Sequence, residues 1–148
     1  MEKIQDAVRK NDMVPSEVLE LLKIKSCLIN QSNKIAVIES AVLAETLLRE
    51  YSIKILEKLG FSKNNLKNLK DELSFNTMLN VIFPITIPKN SAKKLQKHIN
   101  AINRLRKMRN DVVHRNISET EIEEKDVREG IESVIKIIAL IKAKLKVN

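Results

Sequence analysis

The run from Asn33 to Leu59 constrains this chain more than any other part of it. At helical pitch its apolar residues, among them Ile35, Val37, Ile38, Val42, Leu43, Leu48 and Ile55, fall on nearly every side of the cylinder. A helix that is apolar all round must be covered all round, so this one is expected at the centre of a bundle. Gly60 follows it, where a left-handed C-terminal residue belongs. Two glycines and three prolines in 148 residues leave little material for hairpin turns. The expected fold class is therefore all-α. It is an up-and-down bundle of four to five main helices in a single domain, with short connections making neighbours antiparallel.

The remaining boundaries follow from caps and breaks. Residues 2–10 suit a short helix, and Ser16 suits the cap of a second helix reaching Asn30. Asn64-Asn65 and Ser74 mark two short helices. Phe83-Pro84-Ile85-Thr86-Ile87-Pro88, with two prolines four apart, predicts an extended connector. Asn90 or Ser91 is expected to cap a basic helix that stops near Asn116. Ser118-x-x-Glu121 reads as a capping box and Asp126-x-x-Glu129 as a second start for a last helix reaching about Lys146. In the central helix, Glu45 and Arg49 are four apart. They form either a local ion pair or a device in which Glu45 orients a site arginine on a neighbouring helix.

The net charge of +8 is concentrated. Between Ser91 and Arg115 stand eight Lys or Arg against one acid, Asp111, which favours a polyanionic partner. With three Phe, one Tyr and no Trp the chain lacks a stacking platform, so contacts to nucleic acid should go mainly to the backbone. Cys27 stands alone, which precludes an internal disulfide and suits a reducing, cytoplasmic setting; it is expected as a buried small hydrophobe. No leader pattern is read at the N-terminus, and the apolar stretch Ile35–Leu48 is broken by Glu39 and Glu45, so no membrane span is expected. Two His and one Cys without ligand spacing predict no metal site, and the absence of a Gly-rich phosphate loop argues against the usual nucleotide-hydrolysing folds. No cofactor is expected.

One feature of the basic helix is anomalous. Projected at about 100° per residue from Ile102, the residues Leu95, Ile99, Leu105, Val112 and Val113 define an apolar arc. Arg109 falls about 20° from its centre and Arg106 about 40°. A guanidinium there keeps its charge, so it requires a carboxylate, a phosphate or a water-filled groove. His114 lies five residues beyond Arg109, and Asn110 lies four before His114 on one helix row. These three residue types suit cleavage of an RNA backbone without metal. An imidazole moves protons near neutrality, a guanidinium stabilises the charge-rich phosphorane, and an amide holds phosphate or fixes the imidazole tautomer. Arg109 and His114 diverge by about 140° on a straight helix. They work together only if the helix loosens at His114 or if two copies meet across a twofold axis. His98, on the apolar side, is expected at the core edge.

The segment Arg109-Asn110-Asp111-Val112-Val113-His114 resembles the signature of the HEPN superfamily: Arg, a polar residue that is often Asn, then His after a few more. Its placement at the end of the penultimate long helix, before a short polar loop and a final amphipathic helix, is similar too. The resemblance covers about residues 32–148, with 1–31 as an N-terminal helical addition. It implies a small helical bundle that dimerises and puts two Arg–His sets in one cleft. It further implies a metal-independent endoribonuclease of toxin or defence type that leaves 2′,3′-cyclic phosphate and 5′-hydroxyl ends. By this analogy Arg109 and His114 are catalytic and Asn110 supports them. Arg104, Arg106, Lys107 and Arg115 would hold RNA, and Glu45 would assist. A nucleotidyltransferase-like antitoxin is the partner implied for toxin members, although the Tyr that one branch carries two residues after His is Asn116 here. The alternative function is a non-catalytic adaptor for nucleic acid or protein, in which Arg106 and Arg109 pair with buried carboxylates such as Glu45.

Overall fold

A computed structural model describes residues 15–146 and contains, among them, helices and no strand. The helices are α1 (Ser16–Ile29), α2 (Asn33–Lys58), α3 (Lys63–Glu72), α4 (75–85), α5 (Lys89–Arg115) and α6 (Glu124–Lys146), with a 3₁₀ turn at Glu119–Glu121. The short helix expected at 2–10 lies outside the described residues.

Side-chain contacts give the directions of the four long helices. Glu17 at the start of α1 pairs with Lys142 near the end of α6, and Lys23 of α1 pairs with Glu39 early in α2 at 3.0 Å. Arg104 of α5 reaches Glu129 of α6 at 3.0 Å, while His98, earlier in α5, meets Ser133, later in α6. Thus α1 and α5 run one way and α2 and α6 the other, the up-and-down arrangement expected of short connections. Helices α3 and α4 carry the chain from the end of α2 to the start of α5.

The central position of α2 is observed: it packs against α1, α3, α4, α5 and α6. Its buried side includes Ala36, Ser40, Ala41, Ala44 and Ser52 beside Val37, Leu48 and Tyr51. Small residues on that side let three long helices approach it closely, and Ser40 satisfies its hydroxyl on the Ala36 carbonyl at 2.6 Å. The cover is incomplete, because Ile35 and Val42 are nearly half exposed. Gly60 adopts φ +93°, the left-handed conformation expected of it.

Several caps differ from expectation. Pro15, not Ser16, precedes α1, and Ser16 lies inside the first turn. Ser62, not the Asn64-Asn65 pair, caps α3 by accepting the Asn65 N–H. Pro88, not Asn90 or Ser91, precedes α5. Ser74 caps α4 as expected, accepting from the Thr77 N–H.

The largest correction concerns 83–88, which is not an extended connector. Phe83–Ile85 is helical and continues a π-helical stretch, Met78–Ile82, that itself follows Phe75–Thr77. In the π stretch the Phe83 N–H bonds back five residues to the Met78 carbonyl. That shift widens the turn and lets Pro84, which has no N–H to give, enter early in the following turn rather than deep in a regular helix. Thr86 then ends the segment, its hydroxyl donating to the Phe83 carbonyl at 2.7 Å and accepting from the buried Tyr51 at 2.8 Å.

Candidate nucleic-acid interface and active site on helix α5

Helix α5 is clamped to the bundle in its middle. Gly130 of α6 stands so close to it that an added Cβ would lie 3.1 Å from both Cβ and Cδ1 of Leu105. Nearby, Nδ1 of His98 lies 3.0 Å from the hydroxyl of the buried Ser133. Burial pushes the His98 imidazole below its ordinary value, and the charges of Lys136 and Lys97 add to that. This is the core-edge position expected of His98. Cys27 is half-buried against the core rather than fully inside it.

Past Leu105 the only buried residue of α5 is Val112. Val113 belongs to the apolar arc by phase, yet it is 50% exposed. The cover of the apolar arc therefore thins towards the end of the helix. Arg109 lies near the centre of the arc, between Leu105 and the buried Val112, and it is half-buried. Of the three environments open to such a guanidinium, the structure gives the water-accessible one. No carboxylate among the described residues stands within ion-pair distance of Arg106, Lys107 or Arg109. Arg106 is half-buried, and its Nε is shielded from solvent without a hydrogen-bond partner.

The other site residues divide. Asn110 is exposed, and its carbonyl oxygen accepts from Nη1 of Arg109 at 3.3 Å, so the amide is turned towards the arginine rather than towards the imidazole. His114 is exposed, and neither ring nitrogen is hydrogen-bonded to a described residue. Arg104 is matched by Glu129 at 3.0 Å and Asp126 at 3.8 Å, and Arg115 by Asp111 at 3.6 Å. Their charges are already balanced, which sets them apart from Arg106 and Lys107 as ligands for phosphate. Glu45 is not brought to α5. It takes Arg49 at 2.9 Å, and Arg49 also donates to the Lys70 and Leu73 carbonyls at the end of α3. The Glu45–Arg49 pair is thus the local one, and the adaptor arrangement with Glu45 on Arg106 or Arg109 is not what the structure holds.

The end of α5 is also well determined. The helix stays α-helical through Arg115 and stops at Asn116, which is left-handed at φ 48°. There is no loosening at His114. The loop beyond is pinned twice. Ser118 and Glu121 form the expected capping box, but it caps the 3₁₀ turn rather than the last helix, which begins at Glu124 with Asp126 inside its first turn; hydrogen bonds from the Ser118 N–H and hydroxyl hold the Glu121 carboxyl below its usual range. Glu119, which sequence reasoning did not single out, accepts from the Lys34 N–H at 3.2 and 3.3 Å. It serves the first turn of α2, where Ser32 provides no side-chain cap. Among the described residues no three His, Cys, Asp or Glu side chains gather as metal ligands, and no helix is long and apolar enough to cross a membrane.

The fold is an all-α, HEPN-like bundle with a basic penultimate helix whose last turns are only partly covered by the core. The sequence model of the RiboL-PSP-HEPN family matches residues 2–147, and the chain belongs to that family. No curated protein matches the chain, and no solved structure does.

Proposed function

We propose that the chain is a metal-independent endoribonuclease that works as a homodimer, with Arg109 and His114 as its catalytic residues. The observation that carries this reading is the pairing of a half-buried, unpaired guanidinium on the apolar arc with an exposed imidazole one and a half turns later, both without a carboxylate partner among the described residues. His114 removes the proton of a ribose 2′-hydroxyl, whose oxygen attacks the adjacent phosphorus. The bond to the 5′-oxygen breaks, and that oxygen takes a proton from water. The products are a 2′,3′-cyclic phosphate and a 5′-hydroxyl. Arg109 meets the equatorial oxygens of the phosphorane, where added negative charge develops, and the Asn110 amide holds Arg109 in place. Arg106 and Lys107 hold neighbouring phosphates. Membership of a HEPN family supports the assignment, as does the basic composition. A toxin or defence role, with an antitoxin partner, is the setting in which such an activity fits.

The test is incubation of the full chain with RNA in the presence of chelator, followed by mapping of the new ends. Cutting that persists and leaves cyclic phosphates is expected. His114→Ala and Arg109→Ala should each abolish it, with far-UV circular dichroism unchanged, because both side chains lie outside the core. Cleavage that survives in both variants removes these residues from the chemistry.

A further inference from the structure

The polar side of α5 carries more amides than a solvated helix face calls for. Gln96, Asn100, Asn103, Asn110 and His114 fall within about 40° of one line along the helix, and Lys107 falls on the same line. From Gln96 to His114 the line runs about 27 Å. Asn is a poor helix former, because its side chain competes for backbone hydrogen bonds, so three of them inside a 27-residue helix work against its local stability. Lys or Glu would serve an idle surface better.

The amides are also ordered. Nε2 of Gln96 donates to Asn100 at 2.9 Å. Asn103 and Asn80 exchange hydrogen bonds at 2.8 and 3.3 Å, and Asn80 donates to the Asn76 side chain at 2.9 Å. Asn80 sits within the π stretch, so the widened turn is what presents it to α5. Beside this line, Lys93 and Lys97 are exposed and have no ion-pair partner among the described residues. The result is a row of fixed amides with cations on its flank, leading to the imidazole.

We propose that this face is a track for single-stranded RNA, with Gln96 and Asn100 reading base edges while Lys93, Lys97 and Lys107 hold phosphates. The inference rests on the ribonuclease reading, whose scissile phosphate marks the His114 end of the track. The chemistry selects the ligand. Amides offer paired donors and acceptors that match base edges, whereas the side chains of an acidic polypeptide offer acceptors only. Duplex RNA keeps its most informative base edges in a deep, narrow major groove that side chains cannot read, so an unpaired strand is the form that fits.

The experiment measures binding of a labelled single strand by anisotropy over a range of salt, with every protein carrying His114→Ala to prevent cutting. Adding Gln96→Ala and Asn100→Ala, which raise helix propensity and leave the fold in place, should weaken binding about tenfold with the salt slope retained. Adding Lys93→Gln and Lys97→Gln instead should lower the slope by about 1.4. The same sequence as a duplex should bind more weakly, and polyglutamate should not displace the strand at equal charge. Unchanged affinity in the amide variant, equal binding of the duplex, or equal displacement by polyglutamate overturns the track. Binding that behaves as described, in a protein whose His114-containing form never cuts, leaves the track standing and removes the ribonuclease. Cutting with an inert amide row does the reverse.

Discussion

Replacing Gly130 by Ala sets two effects of opposite sign against each other, and the structure decides between them. In a helix interior Ala is favoured over Gly by about 1 kcal/mol. Here the new methyl would meet Cβ and Cδ1 of Leu105 at 3.1 Å and Cγ at 3.3 Å, each tighter than ordinary van der Waals contact. Leu105 is fully buried, and its Cβ is fixed by the α5 backbone, so relief requires α5 itself to move. Overpacking of this kind costs about 1–3 kcal/mol, which leaves a net loss of roughly 1 kcal/mol. Urea unfolding followed by circular dichroism should show a lower midpoint with an unchanged slope. A cycle with Leu105→Ala isolates the cause. That substitution alone should cost about 2–5 kcal/mol, and in its background Gly130→Ala should cost less than in the unaltered protein, because the Cγ and Cδ1 contacts are gone and only the Cβ contact remains. If Gly130→Ala stabilises the otherwise unaltered protein, the close approach of α5 and α6 is wrong, and the clamp that sets the level of Arg109 goes with it.

Two further outcomes test the packing around the site. Because the His98 pKa is lowered in the folded state, folded protein binds fewer protons than unfolded protein just below pH 6.5. Stability should therefore fall as pH drops from 6.5 towards the folded-state value and level off below it; His98→Asn should flatten that part of the profile, and a profile unaffected by the substitution refutes the assignment. Tyr51→Phe removes the hydroxyl that donates to Thr86 at 2.8 Å while leaving the ring edge-on to Phe83, and should cost about 1 kcal/mol in the same unfolding assay.

What the sequence revealed and what it hid divide along the range of the interactions involved. The α2 helix, the αL residue Gly60, the end of α5 near Asn116 and the capping box at Ser118 all depend on residues within a turn of each other, and all are legible; the Glu45–Arg49 pair is legible as one of two readings. Caps fail where a proline stands beside a good capping residue: Pro15 and Pro88 take the position, and Ser16, Asn90 and Ser91 are left within the first turn. The π stretch before Pro84 is hidden because its register shift leaves no mark on the periodicity. The anomaly of Arg109 is a matter of phase within one helix and is visible in the sequence. The neutralisation of Arg104 by α6, the capping of α2 by Glu119 and the close approach at Gly130 are tertiary facts, with no local signal to announce them.

The straightness of α5 carries a consequence for stoichiometry. Since the helix holds its geometry through Arg115, Arg109 and His114 leave it about 140° apart, on opposite sides of a cylinder roughly 10 Å across. One phosphate cannot touch both from a single chain, so a working centre takes Arg109 from one protomer and the partner's His114. Mixing the two inactive variants tests this directly. Let Arg109→Ala and His114→Ala chains exchange freely in equal amounts. Half of the dimers are then mixed, and each mixed dimer has one centre with both groups intact and one with neither. Activity should return to about a quarter of the unsubstituted level. Centres built within one chain would stay dead in every dimer of the mixture. No recovery, after size-exclusion chromatography of tagged chains has verified exchange, would therefore refute the shared cleft while leaving the single-variant losses to be explained some other way.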